Sequence, residues 1–112
     1  MKLEVGMYVR YKNGIGKIVA KYVKGVLLDK GKGGYFRTES VDILKASHNI
    51  KKMLQVGDII TYEFPTGLGM LKYENVTILE NLLDILKSTD EYKILSIVTK
   101  EQFESMSYKV EG

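Results

Sequence analysis

The sequence contains no cysteine and only one histidine, and each shortage excludes a class of chemistry. Without cysteine the chain has no disulfide, no Cys-ligated zinc site, no iron–sulfur cluster and no thiol nucleophile, a composition that suits a reducing compartment. A single histidine, His48, also excludes metal sites built from several imidazoles. We therefore expect neither a metal nor a cofactor.

Long apolar runs are absent as well. No stretch approaches the roughly 20 apolar residues that span a bilayer, and the first residues lack the apolar core of a signal peptide. We expect a chain that stays out of membranes and acts inside the cell. Its 112 residues suffice for one compact domain or two very small ones.

Charge is distributed unevenly along the chain. Residues 1–53 carry 12 Lys/Arg and 4 Asp/Glu, a net charge of +8, whereas residues 54–112 carry 5 and 10, a net charge of −5. A basic half attracts polyanions and an acidic half repels them. The basic half of one copy of the chain could also attract the acidic half of a second copy, so a homodimer is one alternative.

The most informative pattern is an internal repeat. The segment LEVGMYVRY, residues 3–11, returns in altered form as LQVGDIITY, residues 54–62, and each copy is soon followed by a Gly-x-Gly. The residues that recur are those that shape a strand and a turn. The repeat therefore predicts two small, related β-rich units and says nothing about chemistry.

Residues 1–46 form the first predicted unit. Apolar residues alternate from Met7 to Tyr11, which is the period of a half-buried strand. Asn13-Gly14 is the usual central pair of a type I′ hairpin turn, so a second strand should run back to about Lys24. Further short strands are predicted at 26–29, 35–38 and 41–44. Short strands joined by tight glycine turns are typical of a small SH3-like β-barrel.

A short helical joint, residues 47–53, follows the barrel, with Ser47 as its predicted N-cap. The second unit, residues 54–112, is predicted to be acidic and β-rich with two short helices. Its first strand should reach Phe64 and turn at 65–67. The overall class is therefore mainly β (α+β).

Capping patterns locate the two helices of the second unit. Thr77 and Glu80 resemble a capping box before a helix over 78–88, and Thr99 with Gln102 forms another before a helix over about 100–106. A strand over 91–98 and a terminal strand over 108–110 complete the prediction. Asp42-Ile43-Leu44-Lys45 recurs at 84–87, inside the helical pattern, and we interpret this match as coincidence.

No catalytic constellation emerges from the sequence. His48 lies in the predicted joint without a nucleophile elbow nearby, so nucleophilic catalysis by a Ser/His/Asp set is unsupported. Neither Gly-x-Gly ends in Gly-Lys-Ser/Thr or leads from a strand into a helix, which argues against a phosphate-binding loop. Carboxylates of the second half fit a solvated face. We predict that the protein is not an enzyme.

The basic first unit combines cations with aromatic rings, as surfaces for single-stranded nucleic acid do. Lysine and arginine neutralise phosphates, and bases stack on aromatic rings for about 1 to 3 kcal/mol each. An ordinary solvated barrel face is the competing interpretation, because tyrosine favours strands in its own right. The candidate nucleic-acid-binding residues are Tyr8, Arg10, Lys12, Lys17, Lys21, Lys32, Tyr35 and Arg37.

Three stretches together carry a resemblance: 4–10 (EVGMYVR), 45–58 (from KASHNI to VGD) and 97–110 (IVTKEQFESM followed by YKV). They resemble small proteins of uncharacterised activity encoded in phages and prophages of Firmicutes. That resemblance implies an accessory phage protein of the bacterial host cytoplasm, with no catalytic residues to transfer. Separately, Val9 to Val19 resembles SH3-like barrels of the KOW and CarD type, which bind RNA, polymerase or other proteins.

Three functions remain open at this stage. The first is a binding module whose basic unit contacts nucleic acid. The second is a protein-binding inhibitor or modulator of a host complex, either a counter-defence protein such as an anti-CRISPR or a modulator of transcription. Its candidate surface is Asp90, Glu91, Glu101 and Glu104. The third is a structural or assembly role in the virion.

Overall fold

A computed structural model describes residues 2–31 and 34–106, with side chains as far as Glu104. The fold is mainly β, with two antiparallel sheets and two short α-helices, which confirms the predicted class. The chain divides into two compact units, Met1–Leu54 (unit 1) and Gln55–Gly112 (unit 2). None of the helices in the described part of the chain is long and apolar enough to cross a membrane. The predicted strand at 108–110 lies outside the described residues.

Unit 1 is a five-stranded antiparallel sheet with the strand order β4-β3-β2-β1-β5. Its strands are β1 (Tyr8–Tyr11), β2 (Gly14–Lys21), β3 (Gly25–Asp29), β4 (Tyr35–Glu39) and β5 (Ile43–Ser47). A 3₁₀ helix at Ser40–Asp42 precedes β5, and a second one at Ile50–Met53 follows it. Among the described strands no pairing joins β4 to β5, so the sheet is open rather than a closed barrel.

The core of unit 1 lies on the concave face of this sheet. Alternation along the strands places Val9, Ile18 and Leu28 on that face, all with 1% exposure or less. The rings of Tyr11 in β1 and Phe36 in β4 stack with centroids 5.5 Å apart. Because two strands separate β1 from β4 in the sheet, this contact requires the sheet to curl strongly around its core.

Unit 2 has a three-stranded antiparallel sheet with the order β7-β6-β8. Its strands are β6 (Ile59–Thr66), β7 (Gly69–Thr77) and β8 (Lys93–Val98), and its helices are α1 (Glu80–Ser88) and α2 (Lys100–Met106). Both predicted helices are present. The Thr99 capping box is confirmed in detail, because Gln102 N donates to Thr99 Oγ1 at 3.2 Å and Thr99 N donates to Gln102 Oε1 at 2.9 Å.

The two units repeat each other at the level of strand register. β1 pairs with β2 and β5 in unit 1, as β6 pairs with β7 and β8 in unit 2, and both β1 and β6 carry an irregularity at the same place against the last strand. The equivalent pairs, displaced by 51 positions, are Tyr8–Ser47, Val9–Ala46 and Tyr11–Ile43 in unit 1, and Ile59–Val98, Ile60–Ile97 and Tyr62–Ile94 in unit 2. The repeat therefore extends beyond the first strand of each unit.

The repeated Val-Gly forms the same turn in both units. Met7 N donates to Glu4 O at 3.1 Å, and Asp58 N donates to Gln55 O at 3.2 Å. The glycine between them adopts positive φ in each case, +95° at Gly6 and +97° at Gly57. Each glycine N–H then donates across to an isoleucine carbonyl, that of Ile18 or of Ile78, at 2.9 Å. The sequence repeat thus encodes the same glycine-containing turn in both units.

Several local predictions were wrong in detail. The first hairpin loop is Lys12-Asn13 and not Asn13-Gly14, because Gly14 continues the ladder by pairing with Tyr11. The second hairpin turns at Gly67-Leu68 and not at 65–67, since the β6–β7 ladder runs on to Thr66–Gly69.

Two predicted helix caps were also wrong. Asn49, not Ser47, caps the 3₁₀ helix after β5, because its side chain accepts from Lys51 N at 3.0 Å. Helix α1 begins after Leu79 with no side-chain cap, since Thr77 is still the last residue of β7. The sequence match between 42–45 and 84–87 does not reflect a structural repeat, because the second copy is helical.

The strand register instead makes Ile94 in unit 2 the structural equivalent of Ile43 in unit 1.

Candidate nucleic-acid interface

A row of side chains crosses the outer face of the sheet in unit 1. Tyr8 pairs with Lys17, Lys17 with Asp29, and Asp29 with Tyr35. Residues directly opposite each other in antiparallel strands point to the same face, so these four form a row across four strands, roughly 15 Å long. Arg37 lies two residues after Tyr35 in β4 and therefore shares its face. We call Tyr8, Lys17, Asp29, Tyr35 and Arg37 the outer row.

The cations of unit 1 rest against aromatic rings. Lys17 Nζ lies 5.6 Å from the centre of the Tyr8 ring, and Arg37 Cζ lies 4.0 Å from the centre of the Tyr22 ring. Such contacts hold long, flexible side chains in defined positions through the attraction of a cation for the π face. Tyr35 is 69% exposed. The single carboxylate in the row, Asp29, accepts a hydrogen bond from Gly31 N at 2.8 Å.

Arg10 does not belong to this surface, so its assignment as a nucleic-acid contact was wrong. Its side chain is fully buried, and its Nη1 donates to the Met53 carbonyl at 2.8 Å. The neighbouring Lys45 donates to the Lys52 carbonyl at 3.4 Å. The last carbonyls of a short helix lack partners within the helix, and these two cations supply them. The 3₁₀ helix Ile50–Met53 therefore covers the part of the face that Arg10 occupies.

The remaining candidates are dispersed. Lys12 lies in the first hairpin loop, and Lys21 lies at the end of β2 opposite the buried Val26, so neither joins the outer row, although both are exposed. Lys32 is outside the described residues. The structure thus brings together four of the eight predicted residues.

Sequence reasoning missed Tyr22 and Lys24, which lie in the tight turn between β2 and β3. Tyr22 N donates to Gly25 O at 2.8 Å, and this turn faces Arg37 and Glu39 at the end of β4 across an open groove of about 640 Å³. The sequence-based prediction extended β2 to Lys24, whereas β2 ends at Lys21, and it therefore did not include this turn. The signal that could have revealed it is the short Tyr-Val-Lys-Gly interval between two apolar strands.

The predicted acidic surface of unit 2 does not form one patch. Asp90 and Glu91 precede β8, whereas Glu101 and Glu104 lie on α2, which follows β8. A strand of this length spans roughly 20 Å, so the two pairs lie at opposite ends of it. Glu101 is also half-buried. These four residues are therefore two separate pairs on unit 2.

Unit 2 instead carries an aromatic cluster on one face of its sheet. The rings of Tyr62, Phe64, Tyr73 and Tyr92 contact one another with centroid separations of 4.9 to 6.2 Å. These contacts are stacked except that between Tyr62 and Tyr73, which is tilted by 44°. Burial raises the pKa of the Tyr62 hydroxyl above its usual value, and the neighbouring Tyr73 and Tyr92 add to the shift. Tyr62 is the structural equivalent of Tyr11 in unit 1, so an aromatic residue anchors both cores.

The β6–β7 hairpin extends beyond the end of β8 and exposes apolar side chains. β8 pairs with β6 only as far as Glu63, while β6 and β7 remain paired to Thr66 and Gly69. Leu68 at the tip is fully exposed, and Met70 is 58% exposed. Exposed apolar residues grouped in this way are typical of protein contacts.

Metal-ligating side chains do not cluster in the described residues. No group of three or more His, Cys, Asp or Glu residues within the described ranges could hold a metal ion. His48 Nε2 lies 3.2 Å from Glu4 Oε2, and both side chains are exposed. This pair joins the residue after β5 to the N-terminal turn.

No protein-family model matches the chain, and no curated protein or solved structure shows significant similarity to it.

Proposed function

We propose that the protein is a non-enzymatic binding module that contacts single-stranded nucleic acid through the outer row of unit 1. The supporting observation is the strand register that aligns Tyr8, Lys17 and Tyr35 across one exposed face. A backbone of phosphates meets the cations, and unpaired bases stack on the tyrosines. The net charge of +8 on residues 1–53 favours the approach of a polyanion.

We further propose that unit 1 is an SH3-like barrel that has remained open. Three features support this: the strand order β4-β3-β2-β1-β5, the 3₁₀ helix before the last strand, and the strong curl that brings Tyr11 against Phe36. Such small barrels present an outer face of alternating side chains to their ligands. The phage context of the resembling proteins makes a bacterial host cytoplasm the proposed location.

The test is fluorescence anisotropy with a labelled single-stranded oligonucleotide over a range of salt concentrations. The wild-type protein should bind with an affinity that falls linearly on a log–log scale as salt rises, because binding releases counterions. Lys17→Glu should weaken binding and reduce that slope. Lys87→Glu is the matched control, since it makes the same charge change at an exposed lysine of α1. Absent or salt-insensitive binding would overturn the proposal.

A second candidate function is supported by the exposed hairpin of unit 2. Leu68, Met70 and Leu71 expose apolar surface on unit 2, whose residues carry a net charge of −5. This combination fits a partner protein with a basic rim around an apolar patch. Co-purification of one such partner with the tagged wild-type protein, and its loss with Leu68→Asp, would support this function. An unchanged pull-down with Leu68→Asp would exclude the hairpin as its surface.

A further inference from the structure

The groove beside the outer row lies next to hydrogen-bonded backbone. It lies between the turn at Tyr22–Lys24 and the end of β4, where Gly25 pairs with Glu39. The turn is closed by the Tyr22–Gly25 hydrogen bond and is tied to the following segment by Ser40 N, which donates to Lys24 O at 2.9 Å. A side chain at Gly25 would collide with the Thr38 carbonyl, so only glycine permits this approach of β3 to β4.

The Tyr22–Arg37 pair supplies the groove with a prepared stacking surface. The guanidinium carbon lies 4.0 Å from the ring centre, which is stacking distance, and Tyr22 remains 44% exposed. The Tyr22 ring contacts the guanidinium, and a planar guanidinium can also stack on a second flat group. Because the ring already restrains the arginine, a ligand that stacks there immobilises little additional side chain.

The remaining groups define what kind of flat ligand fits. Lys24 and Glu39 both line the groove. The cation of Lys24 suits a phosphate, and the carboxylate of Glu39 is a hydrogen-bond acceptor that suits an exocyclic amino group. A nucleobase with its phosphate combines all three requirements: a planar ring, a negative charge and an amino donor.

We infer that this groove is a subsite for one unpaired nucleobase of single-stranded nucleic acid, which stacks on Arg37 while its phosphate meets Lys24. Arg37 is shared with the outer row, so the strand that crosses Tyr8, Lys17 and Tyr35 leads into the groove. The inference rests on the proposed function of unit 1. It adds that one base is bound by its ring and that Tyr22 positions Arg37 for this contact.

The test separates base binding from phosphate binding. Two fluorescein-labelled probes of equal length are used, an oligodeoxycytidine and an abasic sugar-phosphate chain, with wild type, Tyr22→Ala and Tyr22→Phe. Wild type and Tyr22→Phe should prefer the base-bearing probe. Tyr22→Ala removes the ring that supports Arg37 and should lose affinity for that probe, by at most the roughly fivefold to hundredfold that one stacked base contributes. The abasic probe should bind all three proteins equally. Thermal unfolding verifies that Tyr22→Ala is folded.

The possible negative results distinguish failure of the base subsite from failure of the proposed function. If Tyr22→Ala retains the wild-type preference, or if wild type has none, the base subsite is wrong while phosphate binding by the outer row stands. If neither probe binds wild type, both the subsite and the proposed function fail. If polyglutamate displaces the oligonucleotide from wild type but not from Tyr22→Ala, the groove recognises an acidic polypeptide and the inference is overturned.

Discussion

Arg10 and Met53 lie 43 positions apart in the sequence, and the Nη1 of Arg10 donates a hydrogen bond to the Met53 carbonyl at 2.8 Å. Both side chains are buried, with at most 1% exposure. A buried guanidinium costs free energy unless its donors are used. Arg10, which the sequence suggested as a ligand-binding cation, therefore stabilises the fold of unit 1.

Replacement of Arg10 by methionine should lower the free energy of unfolding by about 1.5 to 3 kcal/mol, since it keeps much of the volume but removes a charged donor from a buried carbonyl. Urea unfolding measures the change. Lys21→Met, at an exposed cation of β2, should change stability by less than about 0.5 kcal/mol. A fully stable Arg10→Met protein with weakened oligonucleotide binding would contradict the structural role.

Asp58 should contribute to the stability of unit 2 as Arg10 does to that of unit 1. Its buried carboxylate accepts from Gln55 N at 2.8 Å and from Lys100 N at 2.9 Å, so one side chain fixes both the Val-Gly turn and the first turn of α2. Asp58→Ala should cost about 2 to 4 kcal/mol by leaving these amides unpaired. Asp84→Ala, at an exposed site on α1, is the control.

Amide hydrogen exchange provides an independent measurement for Asp58. The Gln55 and Lys100 amides should lose protection in Asp58→Ala and keep it in Asp84→Ala. Unchanged protection at Lys100 would show that the carboxylate does not cap α2.

The repeated turn predicts matched effects in the two units. Gly6→Ala and Gly57→Ala each place a side chain at positive φ, which costs about 1 to 2 kcal/mol. Gly67→Ala is the control, because that glycine lacks positive φ and open space surrounds it. Thermal unfolding should show losses at both turn positions and almost none at Gly67. A neutral Gly57→Ala would show that the two turns are not equivalent.

Alkaline pH should destabilise the aromatic cluster of unit 2. The pKa of Tyr62 is higher in the folded than in the unfolded chain, chiefly through burial and secondarily through Tyr73 and Tyr92. Its contribution to stability is therefore complete below the usual tyrosine pKa of 10.0 and is lost as pH rises through the folded-state pKa. Unfolding measured from neutral pH to above 10 should show this loss.

Tyr62→Phe should remove that part of the pH dependence, because phenylalanine keeps the stacked ring and has no ionisable hydroxyl. Tyr35→Phe, at an exposed position of β4, should leave the profile unchanged. Identical profiles for wild type and Tyr62→Phe would exclude Tyr62 as the titrating group.

Of the three helix caps predicted from the sequence, one was correct, and those at Ser47 and Thr77 were wrong. Thr99 and Gln102 form their capping box as predicted, because both partners lie within one helical turn. The hairpin loops were displaced by one or two positions, since their placement depends on how far each ladder extends. Half of the candidate site was also recovered from alternation, because strand period fixes which residues share a face.

The sequence by itself determined the β-rich class, the charge asymmetry and the repeated Val-Gly turn, because these depend on composition and on short-range geometry. Only the tertiary structure decided that Arg10 is buried, that the 51-residue repeat continues into the last strands, and that Tyr22 meets Arg37. Those contacts join residues distant in sequence. Their formation depends on how the sheet curls and on which segment folds back over it, and no local pattern specifies either.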